Sequence, residues 1–196
     1  MQRWSANVTR PEPEVWLRGP VPGVPPLLQP AAHSLLQCRE EVASTIVGLT
    51  ADEIARRLHG AATIGFHVRH AIGSLDRLFT YARGEQLSDA QRAALAAEGA
   101  TDVAPVADVD LIAAFDEAVE RALRQLRATP ESTLLDARGV GRAQLPSTVL
   151  GLLFHAAEHT QRHVGQAVTT ARMIRTSATG VPDALQAHLP PRSSRP

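Results

Sequence analysis

Leu152-Leu153-Phe154-His155-Ala156-Ala157-Glu158-His159-Thr160-Gln161-Arg162-His163-Val164-Gly165-Gln166 reads as one helix carrying imidazoles along an otherwise apolar face. His159 and His163 are four residues apart. At about 100° per residue, four steps return to within about 40° of the starting direction, so the two rings project side by side one turn apart. Two neutral imidazoles so placed can ligate one divalent ion, and a third ligand from another helix leaves a coordination position open for water or substrate. Phe66-His67-Val68-Arg69-His70-Ala71-Ile72-Gly73-Ser74 offers that third imidazole, in His67 or His70.

Spacing alone is a weak signal, because histidines four residues apart also occur as ordinary helix residues. Clustering adds weight: five of the eight histidines fall in these two segments. Leu152, Ala156, Ala167 and Ala171 flank His159 and His163 and would bury both rings beside a core. A buried imidazole needs a partner for each nitrogen, which a metal ion and a hydrogen-bond acceptor together supply.

Outward from this helix, Pro146 suits its first turn, and the helix is predicted to reach about Arg175. Leu134 to Leu145, with Gly139 and Gly141, reads as an irregular or hairpin-like connection. Another long helix spans about Ala62 to Arg83 and is closed by Gly84. Ile64, Val68, Ala71, Ile72, Leu75, Leu78 and Phe79 form its apolar face, His70, Ser74, Arg77 and Tyr81 a polar stripe, and His67 lies between the two. Helical periodicity also marks about Pro30 to Leu49, through Leu35, Leu36, Val42, Ala43, Ile46 and Leu49, and a stretch from near Asp108 that stops before Pro130, through Leu111, Ile112, Phe115, Val119, Ala122, Leu123 and Leu126. Thr50 with Glu53, and Ser88 with Gln91, match capping boxes and predict two short connecting helices ending near Gly60 and Gly99. No strand pattern emerges. Four long amphipathic helices predict an all-α four-helix bundle.

The chain has 196 residues, enough for one domain with a sizeable core. The bundle is assigned to residues 30–176, after a proline-rich arm over residues 1–29. A mobile tail is expected over residues 177–196, with at most a helical turn around Asp183 to His188. Pro11, Pro13, Pro20, Pro22, Pro25 and Pro26 forbid a regular helix in the arm, while Val15, Trp16, Leu17 and Val21 give it apolar side chains to pack. Formal charge is zero and all 20 cations are arginine, with no basic block able to follow phosphates, so no nucleic-acid partner is expected. Aromatic residues make up only 4%, which with plentiful Ala, Leu and Val favours packed helices over a sandwich or barrel. Cys38 is alone, which rules out an intramolecular disulfide and fits a reducing cytosol. Met1-Gln2-Arg3-Trp4-Ser5 leads into charged, proline-rich sequence, so neither a secretory signal nor a membrane span is expected, and a soluble cytoplasmic protein is.

The arm and first helix, the motif His67-x-x-His70-Ala71-Ile72-Gly73-Ser74, and His159-x-x-x-His163-x-Gly165-Gln166 together resemble the DinB/YfiT-like superfamily, from about Pro30 to Arg175. That resemblance implies a four-helix bundle, a homodimer, and a three-histidine site for a divalent metal such as zinc, nickel or iron. Carried over by position, it implies His70, His159 and His163 as the ligands. Relatives linked to metal-dependent thiol S-transfer and to mycothiol-dependent maleylpyruvate isomerisation imply a thiol-dependent transferase or a related hydrolase or isomerase, with a low-molecular-weight thiol as cosubstrate. The small-molecule substrate stays unspecified.

His67 remains an alternative to His70. The stripe of His70, Ser74, Arg77 and Tyr81 is suited to line a wet cleft, whereas His67 points nearer Ala71 and Leu78, which favours His70. His155, one turn before His159 but about 40° farther from the apolar face, is a residue supporting the ligands or an ordinary surface residue. Glu158 reads as a solvated carboxylate, and His33, His59 and His188 lack partner spacing. At an open three-nitrogen site a metal lowers the pKa of bound water or thiol and polarises a carbonyl or epoxide oxygen. Arg77 would hold a carboxylate of the thiol or substrate and Tyr81 donate a hydrogen bond, unless both are simply bundle-surface residues. The competing class is a non-catalytic bundle whose histidines hold a structural ion or none, with its apolar surface used for association.

Overall fold

Ala31, Ala32, Leu35, Cys38, Val42 and Ile46 are all buried and recur every three or four residues, the spacing that gathers them on one face of α1 (Gln29–Ile46). They belong to a computed structural model that describes residues 12–98 and 106–178. After α1 comes the short α2 (Ala51–Ala55), started by the capping box expected there: Glu53 N–H donates to the Thr50 hydroxyl, and Thr50 N–H donates to the Glu53 carboxylate. It stops at Ala55, short of Gly60, because Arg56 adopts extended backbone.

Helix α3 (Ile64–Ala82) begins where the Thr63 hydroxyl accepts from Phe66 N–H at 3.0 Å. Thr63 is 9% exposed, so its replacement leaves that amide without a ready water partner. Thr63→Ala is expected to cost about 1 kcal/mol of unfolding free energy, read by urea denaturation.

Helix α4 (Asp89–Ala97) also starts with its expected capping box, Ser88 and Gln91. None of its residues is buried, so apolar packing does not hold it in place. Polar contacts do: Gln91 Nε2 donates to Asp76 Oδ2 at 2.7 Å and to Thr80 Oγ1 at 2.8 Å, tying the start of α4 to the far end of α3. The expected end at Gly99 lies outside the described residues. Helix α5 (Asp108–Ala128) turns Leu111, Phe115, Val119, Ala122, Leu123 and Leu126 inward.

Two strands then form a hairpin, β1 (Ala137–Val140) and β2 (Leu145–Thr148), paired antiparallel with Val140 opposite Leu145 and Gly139 opposite Pro146. This corrects two sequence expectations: there is a small sheet, and Pro146 sits in β2 instead of opening the last helix. In a two-stranded sheet both strands are edges, where a residue lacking an N–H is tolerated. Helix α6 (Val149–Ala178) starts three residues later, and Thr148 Oγ1 accepts from Gly151 N–H at 3.0 Å. The Ser147-Thr148 pair before an apolar run was the better start signal.

The long helices form a four-helix bundle in which α3 and α1 each pack against both α6 and α5. Their inward faces merge into one apolar core. The described part of the arm folds against α1 as two 3-10 turns, Val15–Leu17 and Pro26–Leu28. Val15, Val21, Val24 and Leu28 are buried, whereas Trp16 and Leu17 face out. Residues 1–11 and the expected mobile tail beyond residue 178 lie outside the described residues. No described helix is long and apolar enough to cross a membrane.

Candidate metal centre

The α3 face that packs on α6 carries His67 and His70, and α6 presents His159 and His163 one turn apart. Among the described residues, His70, His159 and His163 form a cluster in which one nitrogen of each lies within 4.8 Å of the others. Ring centroids are 4.4 Å apart for His70 and His163, 4.6 Å for His159 and His163, and 5.2 Å for His70 and His159. His70 Nε2 is 3.0 Å from His159 Nε2. Two imidazoles on one tetrahedral ion, each about 2.0–2.1 Å from it, hold their nitrogens about 3.3 Å apart. The donor set therefore fits a divalent metal in chemistry and in spacing.

Hydrogen bonds on the other ring nitrogens set the tautomers. Glu98 Oε2 lies 2.8 Å from His70 Nδ1, and a carboxylate oxygen accepts, so Nδ1 carries the proton and, in the neutral ring, Nε2 is left as a bare acceptor. His70 is further fixed by stacking on Phe66, with centroids 5.6 Å apart and an interplanar angle of 11°. His67 Nδ1 lies 3.1 Å from His163 Nδ1. When the His163 Nδ1–H donates in that pair, His163 Nε2 is likewise left bare.

Burial is the largest influence on the titration of His67, His159 and His163. It pulls His163 down to about 4, helped by neighbouring His70, His159 and His67, and it shifts His67 and His159 downward too, with His70 the next cause in each. Neutral imidazole is the form that ligates metal. The same shifts make stability pH-dependent. The native pKa lies below the unfolded value of about 6.5, so between the two the unfolded chain binds more protons and stability falls as pH falls. Metal-free protein is expected to lose melting temperature steadily from about pH 6.5 to about pH 4 in a chelator-containing thermal series; an unchanged melting point across that window would contradict it.

Other sequence candidates fall elsewhere. Ser74, Arg77 and Tyr81 are only 8–9% exposed, so the stripe expected to line a wet cleft is largely enclosed. Arg77 is occupied by Glu98, through Nη1 to Oε1 and Nη2 to Oε2 at 3.2 Å, and no longer has a free guanidinium for a substrate carboxylate. Tyr81, three turns from His70 along α3, lines a separate cleft with Leu87, Arg92, Leu95 and Arg142, between α4 and the hairpin. His155 is half exposed and 3.3 Å from Glu158, which also pairs with Arg162. His33 Nε2 lies 2.9 Å from the Gly19 carbonyl, and His59 adopts φ +48° in a turn. His188 lies outside the described residues. Glu98 was missed altogether: it follows α4 as its C-terminal cap, 28 residues from His70, a separation no helical or strand period links.

A family model described as the DinB superfamily matches residues 34–167. No curated protein matches the chain. Among solved structures, a crystal structure of a conserved protein from Enterococcus faecalis is similar at 17% identity, covering 76% of this chain and 96% of that one with a TM-score of 0.59. At that identity the likeness concerns the fold alone.

Proposed function

The chain belongs to the DinB superfamily, and from that premise we propose that it binds one divalent metal, zinc, nickel or iron, through His70, His159 and His163 and serves thiol-dependent transfer to a small-molecule electrophile. The observation that carries this reading is the meeting of three imidazole nitrogens from two helices within 4.8 Å. A metal with three nitrogen ligands and a free position supplies a lowered pKa to the thiol or water it binds.

The chain's own residues supply the rest. His70, His159 and His163 are partly exposed, and the His70 side chain retains 22% of its surface, so an incoming ligand can reach the cluster. A sealed structural ion would favour full enclosure by four protein ligands. The chain provides no thiolate of its own: Cys38 is fully buried in α1, and burial pushes its thiol up to about 12. The sulfur must therefore come from a diffusible thiol.

Elemental analysis of protein purified without a histidine tag tests the metal, with about one ion per chain expected. Titrating the cobalt-substituted protein with the host's low-molecular-weight thiol tests the chemistry, with a change in the visible spectrum expected. Metal-free protein that cannot be loaded overturns the reading. A loaded site indifferent to thiols leaves the metal and removes the transferase, favouring a non-catalytic bundle.

A further inference from the structure

Helix α4 buries none of its residues, yet its C-terminal cap delivers Glu98, whose side chain is only 15% exposed, against the middle of α3. There the carboxylate meets two groups at once. Oε2 accepts from His70 Nδ1–H at 2.8 Å, and Arg77, 10% exposed in its side chain, grips both oxygens. The carboxylate passes over a residue with no side chain. A Cβ added at Gly73 would collide with Glu98 Oε1 and stand 2.8 Å from Arg77 Nη1.

We propose that Glu98, clamped by Arg77 over the bare backbone of Gly73, is the positioning residue of the metal centre. It holds His70 in the Nδ1–H tautomer, with Nε2 turned towards His159. Carboxylates that accept from the outer nitrogen of a ligating imidazole fix its tautomer and raise its basicity. Arg77 holds Glu98 in place by gripping both of its oxygens, an assignment different from binding substrate. Gln91 at the other end of α4 tethers that helix to α3, so α4 acts as a polar strut that carries Glu98 to the site. The proposal rests on the reading of the three histidines as ligands.

Cobalt affinity by chelator competition, with the visible spectrum of the bound ion, tests both separately. Glu98→Ala is expected to weaken cobalt binding by about ten- to a hundredfold, with an altered spectrum and an unchanged helical signal by circular dichroism. Glu98→Gln keeps an acceptor for His70 and is expected to recover part of that loss. Gly73→Ala leaves Glu98 present but displaces it, and is expected to weaken binding in the same range although alanine is the better helix former. It decides the matter should Glu98→Ala fail to fold. Wild-type protein that takes up no cobalt overturns the ligand reading and this proposal with it. Wild-type uptake with unaltered affinity and spectrum in Glu98→Ala and Gly73→Ala overturns the proposal alone.

Discussion

His159→Ala is expected to abolish tight metal uptake while leaving the bundle folded. The substitution removes one of three nitrogens that meet within 4.8 Å, and no other histidine of α6 can replace it, since His155 is half exposed and engaged with Glu158. Loss of a ligand exceeds the about ten- to hundredfold effect of losing a residue that merely orients one, so elemental analysis should find no stoichiometric ion. Stability should hardly change. His159 is only partly buried, alanine is the stronger helix former, and burial already disfavours the ring's charged form, so metal-free mutant and parent should melt within a degree or two of each other, as expected for about ±0.5 kcal/mol. His155→Ala is the matched control and should load like the parent. A His159→Ala protein that still carries one ion per chain would show the ligand set to be wrong.

The opposite pattern is expected of Phe115→Ala. Phe115, 1% exposed, is among the largest fully buried side chains and lies on α5, which contributes none of the three histidines. Its truncation removes the transfer energy of an aromatic ring and leaves a cavity that the packed helices only partly refill, at about 3–5 kcal/mol. At roughly 2–4 °C per kcal/mol for a chain of this size, the melting temperature falls by about 10 °C. Metal stoichiometry of the folded protein stays at that of the parent. The two substitutions thus separate core from site: one should erase binding at little cost in stability, the other the reverse. A destabilisation under 1 kcal/mol for Phe115→Ala would mean that α5 is not packed as described.

Much of this was legible along the chain because it follows from neighbours in sequence. Thr50 with Glu53 and Ser88 with Gln91 announce helix starts, since a hydroxyl and a carboxyl or amide three residues apart can satisfy each other's free amides. The hairpin was only half legible. Gly139 and Gly141 mark a turn, but a four-residue strand carries too little alternation to be told from a loop, and Pro146 points equally to a helix start or an edge strand. The polar stripe of α3 misled for a different reason: Arg77 and Tyr81 look solvent-facing until α4 and the hairpin are laid against them.

Sequence by itself determined the four long helices, the capping boxes of the two short ones and the pairing of His159 with His163, because these depend on a repeat of about 3.6 residues and on contacts within one turn. The sequence favoured His70 over His67 as the third member, but only the tertiary structure brought its ring to that pair, bonded His67 to His163, and stood Glu98 and Arg77 behind His70. Those contacts cross between helices, where the packing angle and register of α3 on α6 select which neighbours meet, and no spacing along a single chain encodes that choice.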